Sequence, residues 1–458
     1  MDGAVREMWA RMPLAEAVLQ AWRWLADDAF LEDFYQRHRG RGRRRTLSFT
    51  VLLQLIADAL LHRGGSARRA FERAREEGEL DVSIQAAYGK LRRMPIETSV
   101  ALLAQATQRL RALAPVRPLT EAPSCLAHFH VVVLDGKAIK RIAKRLKPLR
   151  GVSGGVVGGK ALVALCLQTG LAFAMHADPD GDANEVRFVP LFVPAVRRLL
   201  SGRRLWLLDR AFGYPKVLEL LAQEEDHFLV RQRRVVTFTG DPTRPPQTGQ
   251  DPTGRAYTQS WGWVGRPGTR TRRVVRRIVL SRPGADDVAL LTDLLDAQQY
   301  PAEELLRLYR MRWGIEQVFQ QVTEVFGLQT LIGSSPEASV FQLAFCLLLY
   351  NVMQVVRAHV AAGRQLAVAE VSIEKLFEDV REQLQAWRWL IGPRQTLALF
   401  GTAADAAAIG ARLHALLATR WRDRWRKATQ QKRRPATPTP RARIHQSAHR
   451  LITGHQRR

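Results

Sequence analysis

The sequence predicts an α/β fold built on a mixed sheet, and three observations carry that reading. Short Val- and Leu-rich runs such as HFHVVVLD (128–135) and LWLLD (205–209) alternate with stretches of helical periodicity, the order expected of an α/β layer. Two of these runs have the length and composition of buried strands and end in an aspartate, Asp135 and Asp209. The chain before them is punctuated by Gly and Ser at helical intervals, whereas 232–285 is rich in Thr, Pro, Gly and Arg with short β-like pieces.

Composition narrows the class of protein. The 458 residues suffice for roughly two to four domains. A formal net charge of +27 argues for a polyanionic partner, most often nucleic acid. Cys125, Cys166 and Cys346 lie too far apart for a metal-binding or disulfide pattern, and a reducing cytosol is the expected home. The N-terminus lacks the apolar region of a signal peptide. The apolar stretch 338–356 contains Gln342, Asn351 and Gln354 and reads as a buried helix, with no membrane partner expected.

Taken in order, 1–45 reads as helical and ends in a basic run. In 46–115, Thr46 or Ser48, then Ser66, then Ser83 stand where N-caps belong, and Gly64–Gly65, Gly78 and Pro95 stop the successive helices. With Arg68, Arg69, Lys90, Arg92 and Arg93 expected to face outward, these helices fit a helix-turn-helix-type DNA-binding domain; a plain helical bundle fits equally. Pro115, Pro118 and Pro123 mark a linker.

A strand over 129–135 follows, then a basic segment that includes Lys137, Lys140, Arg141, Lys144, Arg145, Lys147 and Arg150. ALVALCLQ and LAFAMHA form a hairpin about Thr169–Gly170, and the helix VRFVPLFVPAVRRLL, strand LWLLD, helix YPKVLELLAQ and strand HFLVR complete the layer. With acidic residues on the first and fourth strands, this is a ribonuclease-H-like arrangement. The β-rich insertion 232–285 interrupts it, and VALLTD returns to the core. The expected divisions are a helical DNA-binding domain over 1–115, a catalytic core over 124–231 and 286–360 split by the insertion, a helical region over 361–419, and a basic, partly disordered tail over 420–458.

The stretch PAEELLRLYRMRWGIEQVFQQVTEVF (301–326) reads as one amphipathic helix. Tyr309, Arg312 and Glu316 follow an i, i+3, i+7 spacing along one side of it. An Arg–Glu pair on a solvated helix face is the plain explanation. Together with Asp135 and Asp209, however, Glu316 completes an all-carboxylate set suited to Mg²⁺, the ion pair of which can drive phosphodiester hydrolysis and transfer.

These residues resemble bacterial insertion-sequence transposases of the DDE type, in the branch with a Tyr-x2-Arg-x3-Glu-x6-Lys signature. Here the signature reads Tyr309, Arg312, Glu316 and then Thr323. Asn184–Glu185 and Thr292–Asp293 fit the same pattern, and the resemblance spans roughly 46–357. It implies Asp135, Asp209 and Glu316 as catalytic residues holding two Mg²⁺ or Mn²⁺ ions, with cutting and joining of double-stranded DNA at the inverted repeats of a mobile element. It also implies a homodimer on DNA and a cytoplasmic, nucleoid-associated setting. Tyr309, Arg312, Lys137 and Arg210 are expected at the DNA, and Trp261 and Trp263, two apart on one strand face, as platforms for an unpaired base or as ordinary sheet packing. Thr323 departs from the signature lysine, and Lys137 or Arg210 is the expected substitute.

Two rival functions share the fold: a DNA-binding relative without catalysis, and a Mg²⁺-dependent nuclease that does not join ends. GGVVGGKA (154–161) is not a P-loop, because Ala161 stands where a hydroxyl belongs and a strand is expected to follow. His128 and His130 alternate on the first strand and read as strand residues.

Overall fold

Strands whose two faces are both covered set the architecture. The computed structural model describes residues 7, 9–40, 47–61, 67–115, 122–139, 144, 146–282, 284–328, 333–390, 405–427 and 445–454. Helices α1 (Pro13–Leu25), α2 (Asp28–His38), α3 (Phe49–Leu61), α4 (Ala67–Glu76), α5 (Ile84–Arg92) and α6 (Ile96–Arg111) come first. Strands β1 (His130–Ala138), β2 (Gly155–Val157), β3 (Lys160–Cys166) and β4 (Leu171–Asp178) lead to α7 (Val189–Leu199), β5 (Arg204–Leu208), α8 (Pro215–Leu221) and β6 (His227–Arg231). The insertion supplies β7 (Phe238–Gly240), β8 (Gln247–Gln250), β9 (Ala256–Val264) and β10 (Arg273–Leu280) before β11 (Val288–Thr292). Helices α9 (Ala302–Met311), α10 (Gly314–Glu324), α11 (Pro336–Gly363), α12 (Ile373–Leu390) and α13 (Ala406–Leu417) follow, then β12 (His445–Ser447) and α14 (Ala448–Thr453).

The sheet runs β4-β3-β1-β5-β6-β11-β10-β9-β7, with β8 also on β9. β1, β3 and β4 are mutually antiparallel neighbours, whereas β5 lies parallel to β1 and to β6. This is the ribonuclease-H-like order expected from the sequence. The insertion does not leave the sheet: β11 pairs antiparallel with β6, and β10, β9 and β7 extend the same surface.

Strand alternation divides the core in two. Val131, Val133, Leu205, Leu207 and Leu229 point to one face, and Val132, Leu134, Trp206, Leu208, Phe228 and Val230 to the other, where α7 and α8 cover them. Burial on both sides explains why these strands are almost continuously apolar. On the first face lies α11, the one helix among the described residues with the length and hydropathy of a membrane span, buried throughout its apolar window. Its Asn351 bonds the edge strand directly: Oδ1 accepts from Ala172 N at 3.0 Å, and Nδ2 donates to Ala172 O at 2.8 Å and to Thr107 Oγ1 at 2.9 Å.

Ser48 and Ser83 cap α3 and α5 as expected, accepting from Val51 N and Ala86 N; Thr46, Gly64, Gly65 and Ser66 lie outside the described residues, as do Pro118, Lys140, Arg141 and Arg145. Leu102, Leu103, Ala106 and Leu110 of α6 belong to the same cluster as Val131 and Val133, so the early helices share a core with the sheet. Lys90, expected outside, turns inward: its ammonium donates to Leu47 O at 2.6 Å and lies 4.5 Å over the Tyr35 ring, and burial lowers its pKa to about 8. Arg68, Arg69, Arg92 and Arg93 are exposed.

The far end of the tail, expected as partly disordered, is docked. β12 adds a parallel strand to β2, Ala448 packs on Leu149 and Val156, and Arg450 pairs with Asp180 at 2.7 Å. Residues 428–444 lie outside the described residues. The glycine-rich run at 154–161 lies in β2, β3 and the turn between them.

Candidate active site

Parallel pairing of β1 and β5 sets two aspartates side by side. The register matches Val133 with Leu207, so Asp135 and Asp209 stand at equivalent positions two residues on. Asp135 remains in β1, and its Oδ1 accepts from Gly136 N at 2.8 Å. Asp209 caps the short turn Arg210–Phe212, its Oδ1 accepting from Ala211 N at 2.7 Å. Each side chain is thereby held by the backbone that follows it.

The third carboxylate arrives on a broken helix. The stretch expected as one helix over 301–326 is two, α9 and α10, joined at Arg312 and Trp313. There the backbone tightens to three-residue spacing: Arg312 N donates to Tyr309 O and Trp313 N to Arg310 O. Glu316 still stands one turn after Arg312 and accepts from its Nη2 at 2.9 Å. Arg312 Nη1 lies 3.7 Å from Asp135 Oδ2. The guanidinium, 7% exposed, thus lies between the strand carboxylate and the helix carboxylate.

The electrostatics of the cluster match its geometry. Burial pushes the Asp135 carboxyl up to about 7; the Gly136 N–H and Arg312 oppose this, while Asp209 and Glu316 add to it. Burial also raises Asp209, against Ala211 N–H and Arg312, with Glu185 adding to the rise. For Arg312, burial works to lower the pKa, but Tyr309, Glu316 and Asp135 outweigh it and hold the group above its usual range. Its buried Nε has no hydrogen-bond partner.

Tyr309 has a different place from the one expected at DNA. It is buried, its hydroxyl donates to Leu208 O at 3.2 Å, and burial raises it to about 12. It ties α9 to β5 one residue before Asp209. Lys137 reaches across to α10, donating to Thr323 Oγ1 at 2.9 Å and lying 5.5 Å from the Phe319 ring centroid. Arg210 is exposed beside Asp209.

The two insertion tryptophans part company. Trp261 is 3% exposed, its Nε1 donates to Leu295 O at 2.8 Å and Arg244 covers its ring at 4.4 Å. The ordinary packing explanation therefore holds for Trp261, which is closed to an incoming base. Trp263 is half-buried with Arg272 5.1 Å over its ring. This face of the insertion is wired to α9: Tyr257 OH donates to Glu303 at 3.0 Å, and Arg276 bonds Gln259 and Tyr300 O. Asp293 lies at the opposite end of the sheet, where it accepts from Phe228 N at 3.0 Å.

Two residues near the pocket were not singled out as site residues in the sequence. Glu185 pairs with Lys160 at 2.8 Å and lies so close to Gly136 that a Cβ there would collide with its carboxylate. Its position at the start of the helix after the third core strand was the available signal. Trp313, at the helix break, is exposed.

The donors facing one another are all carboxylates, the chemistry of a hard divalent cation. Among the described residues no three acidic, His or Cys side chains are spaced to enclose an ion in this arrangement. The guanidinium of Arg312 fills the space between Asp135 and Glu316, so the donor set fits a cation once Arg312 gives way.

The family model described as "Transposase DDE domain" matches residues 131–352, a span that includes Asp135, Asp209 and Glu316. No curated protein matches the chain. Among solved structures, the chain is similar to a piggyBac transposase in a cryo-EM synaptic complex with hairpin DNA, at 12% identity and a TM-score of 0.42, over 87% of this chain and 85% of that one.

Proposed function

We propose, from the premise that residues 131–352 are a transposase DDE domain, that this chain cuts DNA at the ends of an insertion sequence and joins those ends to target DNA. The observation that carries this reading is the convergence of Asp135 and Glu316 on Arg312, with Asp209 beside Asp135, inside the matched span.

Asp135, Asp209 and Glu316 would hold the divalent ions, Mg²⁺ or Mn²⁺. When bound, a pair of such ions activates the attacking oxygen and stabilises the leaving one. The chain's own groups do the rest. Tyr309 fixes α9 against β5 and so sets the approach of Glu316 to Asp209. Arg312, released from the carboxylates, offers a two-pronged donor to a DNA phosphate. Lys137 places an ammonium at Thr323, where the resemblance expects a lysine, and is the second phosphate contact. Exposed Arg210 and half-buried Trp263 with Arg272 extend the DNA surface. The attacking group is water in the cutting step and a DNA 3′-hydroxyl in the joining step. Each displacement breaks one phosphorus–oxygen bond as it makes another.

The substrate is double-stranded DNA bearing terminal inverted repeats, engaged by two copies of the chain, with the +27 charge supplying attraction to the backbone. The setting is the cytoplasm, at the nucleoid. The deciding experiment is cleavage of a labelled duplex carrying the repeats that flank the gene, with Mg²⁺ or Mn²⁺, by wild type and Glu316→Gln. Metal-dependent cutting at the repeat boundary that disappears in Glu316→Gln supports the reading. Binding without cutting by either protein overturns it in favour of a non-catalytic relative. Cutting without transfer to a plasmid overturns it in favour of a nuclease.

A further inference from the structure

The junction between α9 and α10 presents an aromatic surface that the acid pocket does not use. Trp313 is 59% exposed, and among the described residues the other exposed large aromatic is Trp389, at the end of α12 and 84% exposed. Trp313 adjoins the pocket directly. Its ring centroid is 5.8 Å from the guanidinium carbon of Arg312, and that guanidinium contacts Glu316 at 2.9 Å and Asp135 at 3.7 Å. A Cβ added at Gly314 would meet nothing within 4 Å, so the space beside the junction is open. Trp261, by contrast, is covered by Arg244 and committed through its Nε1.

An open indole face beside cationic and carboxylate groups suits a planar ligand whose other end is a phosphate. Nucleobases meet that description, and stacking on an aromatic side chain tolerates any sequence because every base has a π face. A phosphate seated at Arg312 has its own nucleotide's base within a nucleotide's reach of the ring. In a paired duplex that base has both faces taken by its neighbours; an unpaired one has a face to offer. The geometry points to Trp313 as the platform on which an unpaired nucleobase next to the phosphate in the acid pocket stacks, giving the chain a preference for frayed DNA ends. This inference rests on the reading of the pocket as a DNA-cutting centre.

The test uses the full chain with Ca²⁺ in place of Mg²⁺, and two labelled duplexes of arbitrary sequence. One is fully paired and the other ends in unpaired nucleotides that carry 2-aminopurine. Wild type binds the frayed duplex more tightly than the paired one and quenches the 2-aminopurine. Trp313→Ala abolishes the quench and weakens binding of the frayed duplex by about tenfold, the usual scale for one base–aromatic stack. Trp313→Phe keeps most of both effects, and Trp389→Ala keeps all of them. Melting temperatures equal to wild type establish that the variants are folded. Equal quenching and equal preference in Trp313→Ala, or no preference in wild type, overturns the inference while DNA binding stands. Failure of the wild type to bind either duplex overturns the DNA-cutting reading as well.

Discussion

The ammonium of Lys137, on strand β1, donates a hydrogen bond of 2.9 Å to the hydroxyl of Thr323, on helix α10. The signature that the chain resembles has a lysine at the position of Thr323. Here the helix carries a hydroxyl and the charge comes from the neighbouring strand, two residues after Asp135. If the location of the charge matters more than the residue that bears it, Lys137→Met removes a charge-assisted contact to phosphate. The expected loss in end cleavage is about tenfold to a hundredfold, from roughly 1.5–3 kcal/mol for a bond to a charged group. Thr323→Lys restores most of that rate in the Lys137→Met background and raises wild type less than about threefold, on the same scale. A large gain from Thr323→Lys alone would show that Lys137 does not do this work.

Asp135 makes metal-free stability depend on pH. Its folded pKa, about 7, lies above the model value of 3.8, so between these values the folded chain binds more protons than the unfolded one. Stability from this group therefore falls as pH rises through that window, and Asp209, also raised by burial, acts in the same direction. Asp135→Asn removes the effect. In EDTA the melting temperature of wild type should drop relative to Asp135→Asn between pH 5 and pH 8, and parallel curves would refute the assignment.

The sheet and the two aspartates were legible because a buried strand announces itself in a run of Val and Leu, and an Asp ending such a run has few places to go. Glu316 was legible from its spacing to Arg312. The break between α9 and α10 was not, because the apolar period continues across it and Gly314 alone is a weak breaker. Consequently the exposure of Trp313 was hidden: on an unbroken helix it reads as one more apolar residue. Lys90 was misplaced for a related reason, since a basic residue on a short helix is normally solvated, and only the packing of Leu47 and Tyr35 draws it inward. The docking of 445–453 depends on contacts with Asp180 and Leu149, distant in sequence and beyond any local pattern.

Asn351 offers a test of the fold that is independent of the site. Its side chain satisfies the N–H and C=O of Ala172 on the edge strand and the hydroxyl of Thr107 at once. Asn351→Leu leaves these buried groups without partners. At about 1–3 kcal/mol for each unsatisfied group, the unfolding free energy should fall by about 3 kcal/mol or more, read as a lower urea midpoint with little change in slope. A loss below about 1 kcal/mol would mean that water replaces the amide or that the strand shifts.

Arg312 stands where a cation bound between Asp135 and Glu316 would stand, 3.7 Å from one and 2.9 Å from the other. The guanidinium and a divalent ion therefore compete for the same carboxylates in the absence of DNA. Arg312→Met removes the competitor without changing the acids, and keeps an apolar stem between Tyr309 and Trp313. Titrated with Mn²⁺ and followed by electron paramagnetic resonance, Arg312→Met should bind the ion severalfold more tightly than wild type, while Glu316→Gln binds it more weakly. The same Arg312→Met protein should cut DNA more slowly, since it has lost its donor to the phosphate. Tighter metal binding with slower cutting separates the two roles of this residue. Weaker metal binding in Arg312→Met would show that the arginine organises the carboxylates, and that its removal lets them drift apart.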